Sequence, residues 1–139
     1  MVNRHDTSYI VIHCSDTPDD RDVDAATIRG WHVNDNKWSD IGYHFVIRRN
    51  GIIENGRNID VIGAHVKNKN SVSVGVCLVG RTEFDPRQFD ALRDLVQLLL
   101  RLYPEAKIVG HHDLDDSKTC PNFNVAEWFQ HQYLTKVPF

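Results

Sequence analysis

Three cysteines, Cys14, Cys77 and Cys120, are an odd number at wide spacing, which excludes the disulfide framework that supports many small secreted domains. The longest apolar runs, such as residues 98–100, are far too short to span a bilayer. The opening MVNRHDTSY also lacks the apolar stretch of a secretory signal. The chain is therefore expected to be made and folded in the cytoplasm, with no membrane insertion. Basic charge is not in excess: 16 Lys and Arg face 19 Asp and Glu, a net charge of -3. No global field gathers nucleic acid, and none is expected as a partner. The glycines at 42, 51, 56, 63, 75, 80 and 110 match neither a P-loop nor a dinucleotide fingerprint, and there is no Gly-x-Ser-x-Gly elbow. The acidic stretch 16–24 has neither the central glycine nor the closing glutamate of a calcium loop and reads as a solvated loop.

What is present fits one globular domain over 1–139. The chain is 41% hydrophobic and 25% charged, and at this length folding buries about two thirds of the surface, enough for a core that stands alone as a monomer. The β-branched run YIVIH at 9–13 reads as a buried strand. A helix over 23–34 follows, with Asp22 as its N-cap and Gly30 as a weak point. Asn50-Gly51 between YHFVIRR and IIENGR predicts a hairpin. SVSVGVCLV at 71–79 reads as a central strand covered on both faces, with Cys77 in the core. Asp85, Pro86 and Gln88 open a helix whose apolar face is Phe89, Leu92, Leu95, Val96, Leu99 and Leu102, stopped by Tyr103-Pro104. A short strand at 107–109 delivers Gly110-His111-His112, and a last helix occupies 124–133 with Asn124 and Glu127 at capping-box spacing. Strands and helices interleave, so the expected class is α/β: a central mixed sheet with helices on its faces.

Eight histidines are the informative surplus. His13 ends one apolar strand, His111 ends another, and Cys120 follows in the loop HHDLDDSKTCP. Taken singly, His13 reads as a satisfied core histidine, Cys120 as a small buried hydrophobe and His111 as a surface residue. Two imidazoles and a thiolate suit zinc, but their spacing is not a zinc-finger pattern, so spacing alone leaves metal binding and the plain readings open.

The blocks IVIHCSDT, WSDIGYHFVIRRNG, ENGRN, GAHV, SVSVGVCLVG and HHDLDDSKTCPNF cover nearly the whole chain. In order and approximate spacing they resemble zinc-dependent N-acetylmuramoyl-L-alanine amidases, especially the small lysozyme-like amidases of the T-odd phages, and are similar also to peptidoglycan recognition proteins. The resemblance implies one Zn²⁺ per chain held by His13, His111 and Cys120, catalytic roles for Tyr43 and Lys118, and a substrate contact for His65. It implies a zinc site at the strand ends with three protein ligands and an open fourth position. The loop before Lys118 is a residue longer than in the phage members.

The function implied is that of an endolysin cutting the amide between N-acetylmuramic acid and the L-alanine of the stem peptide. Peptidoglycan would be its partner, reached in the periplasm after release from the host cytoplasm with a holin or similar protein. Alternatives are a non-catalytic peptidoglycan-binding protein, against which Cys120 speaks, a protein that binds and inhibits a phage RNA polymerase, and a thiol hydrolase using Cys120 and His111. His112 reads as polar surface or as a support for a neighbouring ligand, the first being preferred, Cys14 as a core thiol facing away from His13, and His44 as facing away from Tyr43. Trp31, Trp38 and Trp128 are expected to pack the core, unless one lies near the groove, where it could stack on sugar.

Overall fold

A computed structural model describes residues 1–134; the last five positions of the expected 1–139 domain lie outside the described residues. Five strands form one sheet: β1 (Tyr9–Cys14), β2 (Phe45–Ile47), β3 (Ile53–Asn55), β4 (Ser73–Leu78) and β5 (Lys107–Gly110). Their order is β3-β2-β4-β1-β5. β1 runs parallel to β4 and β5, β2 runs parallel to β4, and only the β2–β3 pair is antiparallel. This is the expected mixed α/β sheet. β4 lies at its centre, and all six of its residues are buried, as its unbroken apolarity predicts.

The helices are α1 (Ala25–Gly30), α2 (Pro86–Leu102), the single turn α3 (His111–Leu114) and α4 (Val125–Leu134). Alternation along the strands sends side chains to two cores. Ile10, Ile12, Val74, Val76 and Leu78 meet Leu92, Leu95, Val96 and Leu99 of α2 on one face. Val46, Cys77 and Val79 meet Ala25 and Ile28 of α1 on the other. Asp85 caps α2 as expected: its carboxylate accepts from the Arg87 N–H at 2.8 Å, and Gln88 Oε1 accepts from the Asp85 N–H at 3.0 Å. Gln88 is fully buried because its amide also donates to the carbonyls of Ile47 and Val79, pinning the helix to the sheet. Leu102 departs from the expected apolar face; it is 58% exposed, at the helix's last residue.

The helix expected over 23–34 is corrected in two respects. The cap of α1 is Asp24, whose carboxylate accepts from both the backbone and the hydroxyl of Thr27, while Asp22 pairs with Arg48 at 2.6 Å. Past Gly30 the helix widens into a π-helical turn, Trp31–Asp35, closed by the Asn36 N–H to the Trp31 carbonyl. The hairpin expected at Asn50-Gly51 forms, with β2 antiparallel to β3. The Gly51 N–H donates to the Arg48 carbonyl and Gly51 sits at φ +87°, so Asn50 and Gly51 are the third and fourth residues of a turn that ends on a left-handed glycine.

Candidate active site

Parallel strands end on the same edge of a sheet, and loops leaving those ends form a crevice. β1 ends in His13-Cys14, β5 delivers His111 onto the first position of α3, and the following loop returns Cys120 to the same edge. A cavity of about 820 Å³ opens there, within the usual size of a ligand site. His13, Tyr43, His65, His111, Lys118 and Cys120 all line it.

The His13, His111 and Cys120 donor atoms lie within 4.8 Å of one another. A tetrahedral ion with bonds of about 2.0–2.3 Å needs donors roughly 3.3–3.6 Å apart, so small side-chain adjustments close the set around a metal. The chemistry of the donors also fits. His13 is 2% exposed. Burial first, then the neighbouring His65 and His111 rings, holds its pKa well below the usual imidazole value, so it is neutral and able to ligate. Burial lowers His111 in the same sense, with Lys118 adding to the effect and Asp115 opposing it. The neighbouring Cys14 thiol, together with burial, raises Cys120 and keeps it protonated in the absence of a cation. A metal would stabilise the thiolate, as would the Cys14 backbone N–H that points at Cys120 Sγ.

Tyr43 is half-buried, its ring 5.2 Å from that of His13. Burial, then the neighbouring Cys77, the β4 partner of His13, raises its pKa well above the usual phenol value. His44, next in sequence, points elsewhere: its Nδ1 accepts from the Gly75 N–H at 3.0 Å and its Nε2–H donates to the Val61 carbonyl. Lys118 is exposed at the rim, and its backbone N–H donates to the Asp115 carbonyl. His65 is only 8% exposed, lodged between His13 and Ser73.

Several further residues take part. Of the two readings of His112, the supporting one is met: its backbone N–H and its ring Nδ1–H both donate to the Cys120 carbonyl, at 3.0 and 2.9 Å, and so fix the loop carrying that thiol. Cys14 is buried as expected, but against Cys120 and Asn122 rather than within either apolar cluster. His32 emerges from the π-helical turn, accepts from the Gly42 N–H at 2.9 Å and stacks 4.6 Å from Trp38. Trp38, expected in the core, is 38% exposed and lines the cavity with it, whereas Trp31 and Trp128 do pack against the two cores.

Known proteins resemble this chain in sequence and fold. A family model described as N-acetylmuramoyl-L-alanine amidase matches residues 3–123, which include every cavity residue named above. The chain is 44% identical over 136 residues to the endolysin of Enterobacteria phage K11, covering 92% of this chain and 89% of that protein. It is 38% identical over 139 residues to the endolysin of Escherichia phage T7, covering 94% and 91% respectively. Among solved structures, the N-acetylmuramoyl-L-alanine amidase LysC from Clostridium intestinale URNW superposes with a TM-score of 0.82 at 27% identity, over 91% of this chain and 85% of that one. With most of its length matched by the family model and closely related endolysins aligned nearly end to end, the chain belongs to the N-acetylmuramoyl-L-alanine amidase family.

Proposed function

We propose that this chain is a phage endolysin that hydrolyses the amide between N-acetylmuramic acid and the L-alanine of the peptidoglycan stem peptide, with one Zn²⁺ held by His13, His111 and Cys120. The convergence of those three donors on one edge of the sheet, inside an amidase-family chain, carries the reading. When bound, zinc supplies Lewis acidity and an activated water at a fourth position left open by three protein ligands. The remaining chemistry falls to the side chains.

Attack on an amide carbonyl builds negative charge on its oxygen, and a cation nearby stabilises that charge only as it develops. Lys118 is the rim cation whose charge is felt at His111, and it takes this role. Tyr43, held protonated beside His13, can donate to the intermediate or orient the attacking water. His65 lines the same cavity; both of its ring nitrogens are engaged, so any contact with the stem peptide is made through its carbon edge. The cavity walls, including the exposed indole of Trp38, offer an apolar surface beside the polar floor.

The reading places the whole of 1–139 in one amidase domain, made in the host cytoplasm and acting at the wall after release. No helix among the described residues is long and apolar enough to cross a membrane. Binding to a phage RNA polymerase draws no support from these matches and is not part of the reading. The deciding experiment uses purified protein on isolated sacculi. New L-alanine amino termini without new reducing sugar ends are expected, because a glycosidase would need a carboxylate pair at this site. New reducing ends would overturn the bond assignment.

A further inference from the structure

His65 and Ser73 lie behind His13, and their hydrogen bonds form a chain with one possible direction. The Lys69 carbonyl can only accept, and Ser73 Oγ is 2.7 Å from it, so the hydroxyl proton points there. That leaves Ser73 Oγ only lone pairs to offer His65 Nε2 at 3.2 Å, so Nε2 carries the proton. A neutral imidazole carries one proton, which makes His65 Nδ1 a bare acceptor. His13 Nε2, 2.8 Å away, must then be the donor. The reverse direction would leave two acceptors, Ser73 Oγ and Lys69 O, 2.7 Å apart with no proton between them.

We propose that His65 and Ser73 are positioning residues that lock His13 in the Nε2–H tautomer, leaving Nδ1 as the lone pair offered to the metal. The proposal rests on the reading of His13 as a ligand. It gives a buried polar pair, 8% and 0% exposed, a task that packing alone would not require. Supporting hydrogen bonds of this kind fix ring orientation and raise ligand basicity.

The fold makes room for this ring at a cost. Gly75 sits in the middle of β4, where glycine weakens a strand and marks a close approach. A Cβ there would lie 2.6–2.7 Å from three atoms of the His65 ring. A Cβ on Gly63 would lie 2.8 Å from His65 Cδ2. From the loop side, Asn70 Oδ1 accepts the N–H groups of His65 and Val66 at 2.8 and 2.9 Å, holding the backbone that presents the ring.

Two measurements test the chain. Long-range ¹H–¹⁵N spectra of the metal-free, unmodified protein report imidazole tautomers directly; His13 and His65 should both be Nε2–H, and His13 as Nδ1–H would overturn the proposal. Competition with a chromophoric chelator then measures zinc affinity. His65→Leu removes the acceptor and should weaken binding by about 10–100-fold. His65→Asn returns an oxygen near the place of Nδ1 and should recover most of that loss. Ser73→Ala should weaken binding in the same direction by a smaller factor. Equal affinity in the unmodified protein and His65→Leu would overturn the proposal alone. An unmodified protein that takes up no zinc would overturn the ligand reading, and the proposal with it. Should His65→Leu fail to fold, the tautomer spectra and Ser73→Ala still decide.

Discussion

The backbone N–H of Cys14 donates to the Sγ of Cys120 at 2.9 Å, joining the end of β1 to a loop residue 106 positions later. Through this bond the residue after one proposed ligand supports another, so metal binding and the closure of the loop at 111–120 are coupled. The purified protein is expected to carry about one zinc per chain, and chelation should abolish lysis of permeabilised cells until zinc is restored. Cys120→Ser should lose more metal affinity than the roughly 10–100-fold typical of a supporting residue. Chelator-resistant lysis would favour the thiol-hydrolase alternative at Cys120 and His111.

Lys118 is exposed and makes no side-chain bond among those described, so its removal should leave the fold and the metal content nearly intact. Lys118→Ala is expected to cut turnover by about two orders of magnitude, the usual loss for a missing oxyanion donor. Metal analysis beside steady-state rates checks this. Loss of zinc would make Lys118 a support for its loop, and near-normal turnover would remove it from the chemistry.

Burial of neutral imidazoles makes the metal-free protein sensitive to acid. His44 is 1% exposed and its pKa is pulled down to about 4 from 6.5 by burial. The unfolded chain therefore binds a proton that the folded one refuses between those values, and stability falls as pH drops through that window. The gap corresponds to about 3 kcal/mol, fully present above pH 6.5 and lost by about pH 4. His13 and His65, lowered for the same reason, act in the same direction. Urea unfolding of metal-free protein at several pH values should show this loss, and His44→Gln should flatten it. A stability independent of pH from 7 to 4 would refute it.

The strand ends that carry the proposed ligands were legible because β-branched runs and the alternation of apolar residues are strong local signals, and the two candidate histidines stand at the ends of such runs. The support around them was not. The turn at His111–Leu114 is a four-residue helix, too short for any periodicity to reveal, and the two hydrogen bonds from His112 to the Cys120 carbonyl were hidden with it. Strand alternation places Cys14 in the core, yet β1 ends there, and the loop from β5 reaches over so that Cys14 lines the cavity beside Cys120. Leu102 satisfied the helical pattern but lies at the end of α2, where it stays exposed. Trp38 was taken for core because aromatics usually are; it follows a π-helical turn that no periodicity announces and sits on the cavity rim instead.

Tyr43 separates catalysis from binding. Its ring packs 5.2 Å from His13 and against the core that contains Cys77, so Tyr43→Phe keeps the packing and removes only the hydroxyl. Folding should therefore barely change. If the hydroxyl acts when the tetrahedral intermediate forms, turnover should fall by at least about tenfold while affinity for stem-peptide fragments stays near that of the unmodified protein, because the interaction exists only in the transition state. Steady-state rates with fragment-binding titrations on the same preparations check this. A variant that cleaves normally would return Tyr43 to a packing role, and one that loses binding and turnover in parallel would make its hydroxyl a substrate contact.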